Sequence, residues 1–321
     1  MTGPTIRLPA KGELARLRRA LLAWHRRRGL QAPWRTSGDS YQVLVAAVMA
    51  QQTQISRVLP KFDEFMAAFP TVEALARART ARVLRLWAPL GYNVRALRLH
   101  RAAKRIVREG GFPKTAAELE RIEGIGPFTA AIVASFALGE PVAAIDTNVR
   151  RVLARLLAGD IDGALSERTL QPAADRLLSR RAPGRWNQAM MDLGAQVCTS
   201  RSPRCAACPL ARWCRARPLF ENASRRRVAE KKAEYGADRL KPVPQSSRSE
   251  PPFRGSRRYY RGRIVQALRE LPSGASLTPA ELLERLPDRD GLDNATLADL
   301  IEALRRDGLL RASADGRLRL P

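Results

Sequence analysis

Four residues in the C-terminal half could bind a metal. Cys198, Cys205, Cys208 and Cys214 are the only cysteines of the chain and follow the spacing C-x6-C-x2-C-x5-C. In a reducing compartment such a group reads as thiolate ligands rather than disulfides. Two occupants fit four thiolates: a tetrahedral zinc ion or a [4Fe–4S] cluster. Structural zinc favours paired C-x2-C knuckles, and only one occurs here, so the spacing leans towards iron and sulphur.

A second candidate is the carboxylate of Asp146 in Ala144-Ile145-Asp146-Thr147-Asn148-Val149-Arg150-Arg151. An aspartate ahead of a helix is commonly only an N-cap. A carboxylate there can also stabilise or attack a centre that develops positive charge. A third candidate is Ile122-Glu123-Gly124-Ile125-Gly126-Pro127. Glycines there permit a tight turn and close approach of a phosphate. Proline suits the first helical position, where free N–H groups favour an anion.

The elements that must position these residues read as mainly helical. Residues 10–220 form one predicted helical unit. Apolar residues three or four apart mark helices over 41–54, 74–86, 94–109, 115–122, 127–138 and 147–157. Residues 221–254 hold Arg225-Arg226-Arg227, Lys231-Lys232 and prolines among serines, the composition of a basic flexible linker. Residues 255–321 read as helices over 260–271, 279–286 and 295–307. Asp315-Gly316 then sits between two short strands. Three helices and a hairpin suggest a winged helix, whose partner is DNA or another protein.

The chain's 57 Lys and Arg against 31 Asp and Glu give +26. That excess favours a polyanionic partner, nucleic acid above all; an arginine-biased proteome would contribute to it as well. Neither a membrane-spanning apolar run nor a signal-peptide core is legible, so a cytoplasmic, nucleoid-associated monomer is expected.

The cysteine loop, the hairpin, the Asp146 segment and Trp186-Asn187-Gln188-Ala189-Met190-Met191-Asp192-Leu193-Gly194 together resemble the helix-hairpin-helix (HhH-GPD) DNA glycosylase superfamily. The resemblance is to its endonuclease III and MutY branch and covers roughly residues 15–218. It implies a two-lobed helical core and a [4Fe–4S] cluster on the four cysteines. It implies that Gly124, Ile125 and Gly126 grip a DNA phosphate, that Asp146 is the catalytic carboxylate and that Asn148 orients it. Pro33-Trp34-Arg35 and Gln51-Gln52-Thr53-Gln54 also look like MutY-family segments. They imply a base pocket with Trp34 and Arg35, and a wedge of Gln51 and Gln52 beside the flipped nucleotide.

Two pocket positions depart from the family. Where bifunctional relatives carry a Schiff-base lysine this chain has Phe128, and no lysine occurs between Lys114 and Lys231. Base release without strand cleavage is therefore expected. Where adenine glycosylases carry a general-acid glutamate this chain has Ala47. Residues 255–321 are also too short for the NUDIX-like domain of that family. Pyrimidines leave as stabilised anions and need less acid help. The expected substrate is thus uracil or thymine opposite guanine, with adenine or hypoxanthine as the alternative. A non-catalytic damage-binding protein is the alternative of another class, and a zinc-dependent winged-helix regulator a more distant one.

Overall fold

The computed structural model describes residues 5–161, 165–222, 253–288 and 292–321. Most of the linker expected over 221–254 lies outside the described residues. The chain divides into two compact units, neither continuous in sequence. The first draws on Met1–Ala47, Pro113–Arg121 and Gly126–Pro242. The second draws on Val48–Phe112, Ile122–Ile125 and Val243–Pro321. Residues 253–321 thus share a unit with 48–112, although the sequence suggests a separate module.

The first unit contains α1 (Lys11–Arg28), α7 (Ala116–Glu120), α8 (Pro127–Ala137), α9 (Thr147–Ala158), α10 (Glu167–Leu177) and α11 (Pro183–Gln196). It also holds most of α2 (Ser40–Ala50), which runs on into the second unit. Its core joins Leu17 and Leu21 of α1 to Val149 and Leu153 of α9 and Trp186 and Leu193 of α11. Cys198, Cys208 and Cys214 pack against that core as partly buried residues. The α11 helix also meets α8, and glycine permits it: a Cβ on Gly184 would lie 2.8 Å from the Ser135 carbonyl oxygen.

The second unit contains α3 (Ile55–Ala68), α4 (Val72–Arg77), α5 (Thr80–Trp87) and α6 (Val94–Arg108). Phe65 packs edge-on against Phe69 at 4.9 Å and Trp87 at 6.1 Å between ring centroids. The single helix expected over 74–86 is two. Ala78 and Arg79 adopt extended backbone, with ψ of 147° and 135°, and break it. The helix expected over 41–54 ends at Ala50, because Gln52 takes a left-handed φ of 53°. Two helices that the sequence left unmarked, α3 and α10, each carry an internal proline, Pro60 and Pro172.

The C-terminal part of the unit holds α12 (Arg257–Arg269), α13 (Pro279–Arg285), α14 (Asn294–Arg306), β1 (Arg311–Ala312) and β2 (Leu318–Arg319). Thr278 and Glu281 form a capping box that starts α13, as the Thr-Pro signal implies. The strands pair antiparallel around the expected turn, and Leu277 bridges to Leu318. No helix among the described residues is long and apolar enough to cross a membrane.

Candidate active site and cluster loop

Asp146 caps α9. Its Oδ1 accepts the Val149 N–H at 2.7 Å, and Oδ2 lies 3.4 Å from the Asn148 amide nitrogen. The sequence thus suggested two roles for Asp146, helix cap and reactive carboxylate, and the geometry leaves room for both. One oxygen fixes the helix start. The other has a single long contact in the structure and belongs to a half-buried side chain.

The approach to Asp146 is clamped from behind. Asn187 accepts the Ala144 N–H at 3.1 Å and donates to Ser135 Oγ and the Val142 carbonyl, both at 2.9 Å. Asp175 accepts the Ala143 N–H at 2.9 Å. This gives the Trp186–Gly194 segment a physical role, because its Asn187 holds the lead-in to Asp146.

Ahead of Asp146, a chain of polar contacts runs to the cysteine loop. Arg151 donates through Nη2 to Asn148 Oδ1 at 2.7 Å and to the Gly194 carbonyl at 2.8 Å. Through Nε it donates to the Cys198 carbonyl at 2.8 Å. Burial pulls the Arg151 pKa down from its ordinary value, while nearby Cys198 and Asp146 oppose that shift. A Cβ on Gly194 would lie 2.8 Å from Asn148 Cβ and 3.0 Å from its carbonyl oxygen, so glycine is what lets α11 reach α9.

All four cysteines line one partly open hollow. Arg155 holds its rim, donating to the Thr199 carbonyl at 2.7 Å and the Ser200 carbonyl at 2.8 Å, with a longer contact to Cys198 Sγ at 3.5 Å. Four cysteines lining one hollow form an all-thiolate donor set that suits an iron–sulphur cluster. Burial pushes the Cys208 thiol up to about 12 and raises Cys214 and Cys205 as well. Bound iron supplies the positive charge that stabilises these groups as thiolates.

At the hairpin, Ile125 N–H returns to the Ile122 carbonyl at 3.0 Å. Gly124 has φ of 93°, and a Cβ there would sit 2.9 Å from Arg98 Cβ, so glycine is required twice over. A Cβ on Gly126 would meet nothing within 4 Å, which leaves open space in front of the α8 N-terminus. Glu123 is exposed and faces Arg101 at 3.4 Å. Phe128 is half-buried in the first turn of α8, and Ala47 is half-buried on α2 between buried Ala46 and Val48.

Arg35 has another commitment. Its Nη1 and Nη2 each donate to Asp192 at 2.8 Å, and Nη1 also reaches the Leu30 carbonyl. Burial alone would raise the Asp192 pKa. Hydrogen bonds from His25 and Arg35, the Arg35 charge and the Leu30 N–H outweigh it and bring it to about 2. Trp34 beside it is buried.

Gln51 and Gln52 stand on a turn tied down by a residue that the sequence did not single out. Arg95, 7% exposed, donates to the carbonyls of Val48, Met49 and Gln51 and to Thr53 Oγ1. It also reaches the Leu90 and Gly91 carbonyls. Left-handed φ at Gln52 costs about 1 kcal/mol without glycine, and Gln52 points to solvent as an exposed residue.

With this geometry in place, comparison with known proteins is informative. Residues 45–172 match the HhH-GPD superfamily of base excision DNA repair proteins. Residues 198–214 match the iron–sulphur binding domain of endonuclease III. The adenine DNA glycosylase of Mycolicibacterium smegmatis is 38% identical over 308 residues, 94% of each chain. The chain belongs to the HhH-GPD superfamily, on its endonuclease III and MutY branch.

The human adenine DNA glycosylase is 38% identical over 65% of this chain and 41% of its own. A thermostable thymine-DNA glycosylase shares the fold, with a TM-score of 0.60 at 22% identity over 65% of this chain and 98% of that one. An endonuclease III trapped on DNA has a TM-score of 0.57 at 21% identity over 67% and 100%. The protein is therefore a DNA N-glycosylase of base excision repair with an iron–sulphur cluster on its four cysteines.

Proposed function

We propose that this chain is a monofunctional DNA glycosylase of the adenine class, which flips a mispaired adenine out of the duplex and hydrolyses its N-glycosidic bond with Asp146. The observation that carries the substrate is the 38% identity to an adenine DNA glycosylase along 94% of both chains, C-terminal residues included. This replaces the uracil or thymine preference expected from Ala47 as the first reading. Asp146 stabilises or captures the positive charge that builds at the anomeric carbon as the base departs. Asn148 and Arg151 keep its carboxylate turned to the sugar. Phe128 supplies no amine, so no Schiff base forms and the product is an intact abasic strand. Gly124, Ile125 and Gly126 take a DNA phosphate, and Gln51 and Gln52 fill the vacated stack. Trp34 belongs to the base pocket, with Arg35 fixing its wall through Asp192.

Ala47 makes a specific difference to the chemistry. Adenine needs protonation to leave, and alanine donates nothing, so the proton comes from solvent. The rate of adenine release should then rise steadily as pH falls, without the plateau that a side-chain acid would give. Ala47→Glu should restore a plateau and raise adenine release at neutral pH by roughly 100-fold or more. The second reading, uracil or thymine opposite guanine, is favoured by the same Ala47, since those bases leave as anions. Single-turnover release from A:G, A opposite 8-oxoguanine, U:G, T:G and hypoxanthine duplexes decides between them. Faster release of uracil or thymine, with adenine release unmoved by Ala47→Glu, would reject the adenine assignment. Tight binding without release from any duplex would favour a damage-binding protein.

A further inference from the structure

The basic helix α12 suggests DNA contact by its composition, yet Arg257 pairs with Asp299 and Arg261 with Asp307. Arg254, just ahead of the helix, pairs with Asp288, so all three pairs lie within the C-terminal residues. Two arginines of α12 instead reach the turn between α5 and α6. Arg269 donates to Asn93 Oδ1, and Arg258 donates to the Tyr92 hydroxyl with its guanidinium 4.7 Å from the Tyr92 ring centre. The contact is returned from the other side, where Arg85 donates to the carbonyls of Arg269 and Leu271 at the end of α12.

Tyr92 is where this docking meets the glutamine turn. It holds a left-handed φ of 44° and is 44% exposed. Arg258 lies against its ring, and so does Arg95, at 5.3 Å. Arg95 is also the hub that grips the carbonyls of Val48, Met49 and Gln51. A ring contacted by two guanidinia is held by both and links them mechanically.

We infer that the C-terminal residues 253–321 brace the Gln51–Gln52 turn, through a stack of Arg258, Tyr92 and Arg95. Arg258 is a positioning residue in this scheme. The C-terminal residues act on DNA through the glutamine turn of their own unit rather than by reading bases themselves.

The DNA arm of this inference rests on the proposed wedge role of Gln51 and Gln52, whereas the dynamic arm does not. Arg258 is exposed, so Arg258→Ala should fold with an unchanged melting temperature. In the full-length holoprotein without DNA, amide exchange of residues 48–54 should speed up about 5-fold in Arg258→Ala. Arg258→Lys, which keeps a cation over the ring, should restore most of the protection. Unchanged exchange over 48–54 overturns the brace, whatever the DNA result.

On DNA, Gln52→Ala alone tests the wedge. Arg258→Ala should weaken binding to a mispaired duplex about 5-fold and leave undamaged duplex unaffected. Combined with Gln52→Ala it should add little. Additive losses, or equal loss on undamaged duplex, would make Arg258 a direct DNA contact and overturn the inference. If Gln52→Ala has no effect while the exchange result holds, the wedge reading fails and the brace stands.

Discussion

Two regions of this molecule, each assigned to DNA in the function proposed above, fix a turn by opposite means. Around Asp146 the polar groups are held by one another. Asn187 and Asp175 pin the lead-in, Asn148 lies between Asp146 and Arg151, and Arg151 reaches the Cys198 carbonyl. Side chains do the orienting, and the cluster loop is the far anchor. Around Gln51 the bonds run chiefly to the backbone, with Thr53 Oγ1 as a side-chain acceptor. One buried arginine grips three backbone carbonyls and leaves the exposed Gln52 side chain pointing outward from a strained backbone. A reactive carboxylate needs a fixed direction, so its neighbours bond to the side chain. A wedge needs a fixed base and a free tip, so its anchor bonds to the backbone.

The contrast predicts that the second region fails all at once and the first by degrees. Arg95→Ala should have the largest effect, about 4 kcal/mol of unfolding free energy by urea denaturation. It removes the buried guanidinium that the Val48, Met49 and Leu90 carbonyls accept from. A loss below 1 kcal/mol would mean the turn holds itself. Arg151→Ala should cost less stability, about 2 kcal/mol, since its site is half-open. It should nevertheless lower single-turnover base release more than it weakens DNA binding. Equal losses in both would show that Arg151 does not orient Asp146 through Asn148.

A pH experiment sharpens the first region further. The Asp192 pKa is depressed to about 2, so its ion pair stabilises the fold at neutral pH and fades as pH falls through the range between the unfolded and folded values. The destabilisation caused by Asp192→Asn should therefore shrink by about 1 kcal/mol between pH 5 and pH 3. A constant difference would show that Arg35 and Asp192 are held by packing alone. The smallest effect is expected at the wedge. Gln52→Gly should relieve the left-handed strain and raise stability by up to about 1 kcal/mol, while weakening binding to mispaired DNA. A loss of stability would mean that the Gln52 side chain itself holds the turn.

What was legible in the sequence follows from the same contrast. Cysteine spacing, the glycines of the hairpin and the Asp146 segment are chemistry written in residue type: the cysteines share one hollow, Gly124 stands in a turn and Asp146 caps α9. Thr278-Pro279 and Asp315-Gly316 marked their helix and hairpin because caps and turns depend on local chemistry. Arg95 and Arg151 were not legible as anchors. In a chain with 57 Lys and Arg every arginine looks like part of a DNA-facing surface, and burial is a property of packing. The docking of α12 on the α5–α6 turn was hidden for that reason, and so was the division into units that interleave along the chain. Arg35 looked like a pocket residue in isolation, but its partner Asp192 lies in another part of the sequence, where it read only as one letter of a family segment.

The proposed chemistry depends on Asp146 being the reactive carboxylate and not merely the cap of α9. Single-turnover base release by Asp146→Asn, on an A:G or A opposite 8-oxoguanine duplex, tests it most directly. Asparagine preserves the cap, since its oxygen can still accept the Val149 N–H, and removes the charge. Folding and duplex affinity should stay near wild type while release falls by roughly 1,000-fold or more, with no strand break in either protein before alkali. Release at the wild-type rate, from a variant that binds and melts normally, would contradict it and leave Asp146 a helix cap only.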